Sequence, residues 1–459
     1  MGVNMLKRFL LLILCLFLLG CRNQETLNPN KPITISLWHN YGGQMKITMD
    51  ELVDEFNDTE GKEKGIIINV TSISGSATLH DKLIMAANDE PNAPELPDIT
   101  TLYPKTAQHL ANKGMLVDLN KQFSNDELSK YVEQFVFEGI LQDGKLYVLP
   151  TAKSTEVIFL NMTLFNNFMK ENDVSYEDLN TFEGIIKTSE MFYHWTDNQT
   201  PQIKNDGKSF ISYDSLFNMA LIGFQQLDSH FIEVEELNLS SPMFKKIWDL
   251  FYEPAVKGYV AIYDGYGSEL IKTGNACANI GSTAGVLFYS PEITYEDNIT
   301  ERVEFLILPY PTFKDGKKVA LQRGSGMSII KSDDIKEYAA GIFLKWFTDP
   351  KQNLRFVSST GYLPVTIEAF DMVMSEENII EDDNIKKLIQ TTNKMYNEYL
   401  FYFPPTFDNL DELEKEYEEN LKLTASLCRE EYLILLNTMD VDEAFKKVSE
   451  NSYGAFVNN

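Results

Sequence analysis

Histidine and cysteine are scarce in this sequence, five and four in 459 residues. The histidines, at positions 39, 80, 109, 194 and 230, stand singly, with no HExxH and no paired Cys/His spacing. No zinc or other metal constellation can be read from that pattern. Phosphate-cradling loops are missing too. GxxxxGK[ST] does not occur, and the glycine-rich stretches "DGYGSE" and "RGSGMS" lack GxGxxG spacing. "GSTAG" at 281–285 carries Thr283 where a nucleophile elbow needs serine. The 68 acidic residues would allow any pair to be nominated as a glycosidase dyad, and the sequence singles out none. With no nucleophile, base, metal or cofactor signature, the balance is against an enzyme. Positive charge is also short, 40 Lys and Arg against those 68 acids, for a net charge of -28. Such a surface repels phosphate backbones and anionic headgroups, which excludes nucleic acid as a partner. No apolar run reaches the about 20 residues that cross a bilayer.

The nearest such run, Phe9 to Leu19, follows Lys7 and Arg8 and leads into Gly20-Cys21 and Arg22. A basic start, a short apolar core and a small residue before the break form the secretory signal pattern. Leu18-Leu19-Gly20-Cys21 further resembles a bacterial lipobox, in which the cut falls before a cysteine that then carries lipid. Residues 1–20 are therefore expected to be a lipoprotein signal peptide and Cys21 the lipidation site. Residues 21–32, polar with two prolines, read as a flexible tether. The expected product is an exported chain, anchored to the cell membrane by lipid and facing the periplasm or the cell exterior. Cys277 and Cys428 then remain. An export compartment permits a disulfide between them, while two inert thiols are the simpler reading.

What is present is ordinary globular material, 44% hydrophobic, in a chain longer than a single core supports. Two lobes are expected. "ITISLWHNYGG" alternates Ile33, Ile35 and Leu37 against Thr34, Ser36 and Trp38, a strand ending in a glycine pair. Met49, Leu52, Val53 and Phe56 recur at helical spacing. "GIIINVTSIS" reads as a strand covered on both sides, then come a helix through Leu83 to Ala87, the strand "PDITTLY", and a helix stopped by Gly114. Strand, helix, strand, helix, strand predicts a doubly wound α/β lobe, with ligand held beyond the carboxyl ends of the strands. Trp38, Tyr41, Ser76 and Tyr103 follow strand ends in this reading. Residues 160–301 are richer in helical patterns, strands return at "VEFLILPYP" and "VALQRGSGMSII", and a helix closes at Asp349-Pro350.

The loops "WHNYGG", "SGSAT", "AKST", "GSTAG", "RGSGMS" and "TGYLPVT" supply aromatic rings and small polar groups. Rings stack on the apolar faces of sugars while hydroxyls and backbone groups take the sugar hydroxyls, so these are the parts of a carbohydrate or polyol site.

Taken in order, "LVDEFND", "LPDIT", "GMLVDL", "DGKLYVLP", "STEVIFLN", "TGNACANIGSTAG" and "AAGIFLKWFTDPKQNLRFVSSTGYLPV" resemble the family 1 extracellular solute-binding proteins of bacterial ABC importers. The resemblance implies a type II periplasmic-binding-protein fold, two doubly wound lobes joined by hinge strands around a ligand cleft. One lobe is placed at 33–149 plus 303–347, the other at 150–302 plus 348–459. It implies a monomeric receptor that performs no chemistry and passes its solute to ABC permease subunits. From the glycerol-3-phosphate-type branch it carries ligand-binding roles onto Ser154 with Thr155, Ser282 with Thr283, Gly324 and Tyr362. Trp38, Tyr103 and Tyr362 are the expected stacking platforms. Two features of the branch do not carry over. Pro104 stands where an acidic residue is expected, and Asp411 lies near the place of a phosphate-binding arginine. A buried phosphate without a cation is poorly stabilised. A neutral sugar or oligosaccharide is therefore expected over a glycerol-3-phosphate-type ester, with a sensory subunit for a membrane kinase or chemoreceptor as the alternative role.

Overall fold

The computed structural model describes residues 26–295, 298–375, 380–407 and 409–458. The signal peptide, the lipobox and Cys21 lie outside the described residues. In chain order, the strands that organise the molecule are β1 (Ile33–His39), β2 (Ile66–Ser72), β3 (Ile99–Leu102), β4 (Leu149–Ser154), β5 (Glu156–Asn161), β6 (Ile211–Tyr213), β7 (Ala278–Ser282), β8 (Phe305–Leu308), β9 (Val319–Leu321), β10 (Arg323–Ile329) and β11 (Leu400–Tyr402).

The first sheet runs β2-β1-β3-β10-β4, with β1, β2 and β3 parallel and β10 antiparallel to both its neighbours. In β1, Ile35 and Leu37 are fully buried, as the alternation requires. β2 is an edge strand rather than one covered on both sides, and its Ile67 faces solvent. Helices α1 (Gly43–Asp58), α2 (Ser76–Ala87) and α3 (Pro104–Asn112) connect these strands. α1 buries Met49, Leu52, Val53 and Phe56, and α3 starts with Pro104, whose missing N–H costs nothing in the first turn. Gly114 takes a φ of +71° just past α3, the left-handed stop its position suggested.

The second sheet runs β8-β5-β7-β6 and is covered by helices, among them α5 (Leu216–Gln226), with α4 (Glu133–Glu138) preceding it in the first lobe. All six residues of β5 are buried, as befits a central strand. The chain passes between the sheets at Thr155, between β4 and β5, and again at Gln322, between β9 and β10. β9 pairs with β11 in a separate parallel ribbon beside that second crossing.

These pairings move the expected lobe boundaries. β8, assigned above to the first lobe with 303–347, is antiparallel to β5 in the second sheet. α7 (Pro350–Ser358), assigned to the second lobe, follows α6 (Asp334–Phe347) and packs on α1 of the first. Asn353 fixes it there: fully buried, it donates to Thr151 O at 3.0 Å and accepts from the Val365 N–H at 3.0 Å. The signal missed is that helix 334–347 ends at a capped turn, Asp349-Pro350, and not at an exit from the lobe. The amino-terminal tether is also shorter than expected. Leu27 packs against the core, and Asn28 lies so close to Gly65 that a β-carbon there would meet its carbonyl oxygen at 2.3 Å.

Cys277 is buried and Cys428 half-buried, and both are free thiols. Burial pushes the Cys277 thiol well up, which makes it inert. Among the described residues no helix is long and apolar enough to cross a membrane, and no group of His, Cys, Asp and Glu is placed to hold a metal ion.

Candidate functional site

A cavity of about 530 Å³ opens where the two lobes face each other. Its first-lobe wall is the amino-terminal turn of α2, with Ser76, Ala77, His80 and Asp81, and the β3–α3 junction from Tyr103 to Thr106. This is the carboxyl end of a parallel strand, where an α/β lobe presents its ligand. The floor is the crossing segment Gln322, Arg323 and Gly324, with Glu138 from the end of α4. Gly324 has a φ of +108°, and a β-carbon there would sit 2.3 Å from Ala152 O, so only glycine lets β10 run this close to β4. The opposite wall is Phe403, Pro404, Thr406, Phe407, Leu410 and Asp411, leading into helix α8 (Leu410–Leu435).

Of the ten ligand-binding residues read from sequence, Ser76, Tyr103 and Gly324 line this cavity. The others do not. Trp38 is the penultimate residue of β1, and its half-buried ring packs on the apolar cluster of Leu79, Leu83, Leu102 and Leu110 beneath α2 and α3. Tyr41 is a core residue, its ring stacked on His39 at 5.1 Å and its hydroxyl 3.4 Å from Ser325 Oγ. Burial pushes that phenol up to about 12. Tyr362 is partly buried against the main core, and burial pushes its phenol up, with Tyr103 and Tyr41 adding to the effect.

Ser154, Thr155, Ser282 and Thr283 form the first crossing. The Thr155 N–H donates to Thr283 Oγ1 at 3.3 Å and the Thr283 N–H to Thr155 O at 2.8 Å, while Ser282 Oγ accepts from the Ala284 N–H. These bonds knit β4–β5 to the end of β7. The Thr155 hydroxyl itself is buried without a partner. Small hydroxyl residues serve a buried crossing as well as a ligand, which is why the sequence could not separate the two roles.

His80, Glu138, Gln322, Phe403 and Phe407 were missed, and Arg323 and Lys105 bring to the cavity the positive charge that the expected cation-free cleft left out. The aromatic-proline run "FPPTF" between a strand and an acidic helix was a legible signal for Phe403 and Phe407. Glu138 had one too, an acid inside the otherwise apolar "FVFEGI".

Arg323 Nη2 donates to Asn218 Oδ1 at 2.8 Å, and Asn218 Nδ2 donates to Glu156 Oε1 at 2.7 Å. Burial raises Glu156 to about 7, against the pull of Asn218 and Arg323. Glu414 is likewise raised by burial and held back by Arg323. Lys153 does not enter the cavity: its Nζ is 2.8 Å from Glu138 Oε2, and both side chains are buried. His80 Nδ1 sits 2.7 Å from Thr106 Oγ1. Burial lowers its pKa and Lys105 adds to that, while Asp81 and, from the opposite wall, Asp411 oppose it. The arrangement offers aromatic faces, hydroxyls and carboxylate acceptors between the two lobes.

A cleft between two doubly wound lobes joined by crossing strands defines a receptor that closes on a small solute. The family model for bacterial extracellular solute-binding proteins matches residues 51–387, and the chain belongs to that family. Over 369 residues it is 24% identical to the sn-glycerol-3-phosphate-binding periplasmic protein UgpB of Escherichia coli O1:K1, covering 76% of this chain and 78% of that protein. Among solved structures, the cyclic alpha-maltosyl-1,6-maltose binding protein of Arthrobacter globiformis superposes with a TM-score of 0.65 at 18% identity, over 93% of this chain and 100% of that one. UgpB of Mycobacterium tuberculosis in complex with glycerophosphocholine gives 0.64 at 16% identity, over 93% and 99%. The fold is that of the type II periplasmic binding proteins.

Proposed function

We propose that this protein is a lipid-anchored extracytoplasmic receptor of an ABC importer, which captures a neutral sugar or oligosaccharide between its lobes and delivers it to the permease without chemical change. The observation that carries the reading is the cleft itself: Tyr103 on one wall and Phe403 and Phe407 on the other, with hydroxyls and carboxylates between them. Its volume lies within the range of small-molecule sites. Aromatic faces opposed across a polar floor suit a ring that is apolar on its faces and polar at its edge. The sugar-binding relative supports this class of ligand.

A glycerophosphate ester is the second reading. Arg323 and Lys105 both line the cavity, and two relatives are UgpB proteins. Against it stands the bond that Arg323 Nη2 already donates to Asn218 Oδ1, which a phosphate would have to share or displace. A thermal-shift panel of mono- and oligosaccharides, polyols, sn-glycerol 3-phosphate and glycerophosphocholine decides between them. A solute that binds only the folded chain raises its melting temperature by mass action. A rise with a neutral sugar and none with the esters is expected. The reverse pattern would replace the first reading with the second.

A further inference from the structure

Glu138 and Gln322 sit side by side in the cleft floor, and their bonds leave two oxygens over. Glu138 is 8% exposed and Gln322 is 1% exposed. Glu138 Oε2 takes the Lys153 ammonium at 2.8 Å and also accepts from Gln322 Nε2. The other Gln322 Nε2 hydrogen goes to Gln134 O at 3.2 Å. Because a carboxylate and a carbonyl can only accept, the Gln322 amide cannot flip, and Oε1 is fixed as an acceptor. That Oε1 has no partner. Both bonds to Glu138 use Oε2, which leaves its Oε1 to the cavity that Glu138 lines. The buried Lys153 ion pair fixes the carboxylate in one orientation.

We propose that Glu138 and Gln322 form an acceptor pair that reads a donor-rich group of the solute, either adjacent hydroxyls of a sugar or an ammonium. A phosphate, which brings only acceptors when ionised, is turned away from this end of the cleft. The inference rests on the carbohydrate reading above and refines it by assigning which protein groups select the solute and in which sense. Lys153 and Gln134 act as positioning groups behind the pair.

The test is calorimetric titration with maltotriose, cellobiose, trehalose, glucosamine and sn-glycerol 3-phosphate. Wild type is compared with Gln322→Met and with the double variant Glu138→Gln/Lys153→Met, since Glu138→Gln alone would strand the lysine charge. The best neutral sugar is expected to bind at least tenfold more weakly to both variants. Its singly deoxygenated analogues should include one whose loss costs the wild type about tenfold and the double variant nothing. A purely structural role would lower the melting temperature and leave that deoxy profile intact, which overturns the inference while the carbohydrate reading stands. Glucosamine binding more tightly than every neutral sugar, and losing that advantage in both variants, supports the pair with an ammonium as its donor. If the wild type binds no sugar and no amine, the carbohydrate reading fails and this refinement with it. Should the double variant not fold, Gln322→Met alone decides.

Discussion

Two buried titratable side chains set opposite pH slopes on stability. His39 is fully buried; its Nδ1 accepts from the Tyr41 N–H at 3.1 Å and its Nε2 has no partner. Burial lowers it from 6.5 to about 4, with Asp50 opposing and Lys46 assisting. The unfolded chain therefore binds this proton more readily than the folded one. Its contribution is complete above the unfolded value and is lost as pH falls from 6.5 toward 4, about 3 kcal/mol in all. Glu156 runs the other way. Its pKa rises from 4.5 to about 7, so the folded chain holds the proton, and stability is lost as pH climbs through that window. Between about 4.5 and 6.5 the two slopes oppose each other, and the wild type is expected to be nearly flat from this pair. His39→Gln should expose the Glu156 slope, making the protein more stable on acidification there, and Glu156→Gln should expose the reverse. Urea midpoints between pH 4.5 and 6.5 check both signs. Parallel shifts in the two variants would show that other groups govern the pH response.

At the scale of elements, much of the fold was legible and the division into lobes was not. Helix α1 and strand β1 announce themselves through Met49, Leu52, Val53 and Phe56 and through Ile35 and Leu37, because burial on one face leaves a period in the sequence. The crossings leave no such period. A strand such as β8, Phe305–Leu308, reads the same whichever sheet it joins, since pairing partners far apart in sequence are not encoded in local alternation. The same limit applied to the site. Tyr103 and Ser76 could be placed by the strand-end rule, whereas Glu138 and Phe407 reach the cleft only through tertiary packing. Asn353 is the element-scale test of the corrected boundary. If α7 belongs to the first lobe, Asn353→Leu breaks its two bonds to Thr151 and Val365, at a cost of about 2 to 4 kcal/mol. Solute affinity should stay within about twofold, because α7 makes no part of the cleft wall. A stable variant with weakened binding would contradict that assignment.

On the proposed reading, the whole molecule is two rigid α/β bodies whose facing walls share one solute. Micromolar binding supplies about 8 kcal/mol, enough to shift a closure equilibrium by the few kcal/mol such hinges require. The strongly acidic surface keeps the receptor soluble and contributes little to capture of a neutral ligand, whose binding is expected to be nearly independent of salt. The most direct measurement is calorimetric titration of the tightest-binding sugar into wild type, Tyr103→Ala and Phe407→Ala. The two rings come from opposite walls, so a solute stacked between the lobes must lose affinity in both variants, at least about tenfold each. Retention of wild-type affinity in both, with sn-glycerol 3-phosphate binding where sugars do not, would contradict the account at its centre.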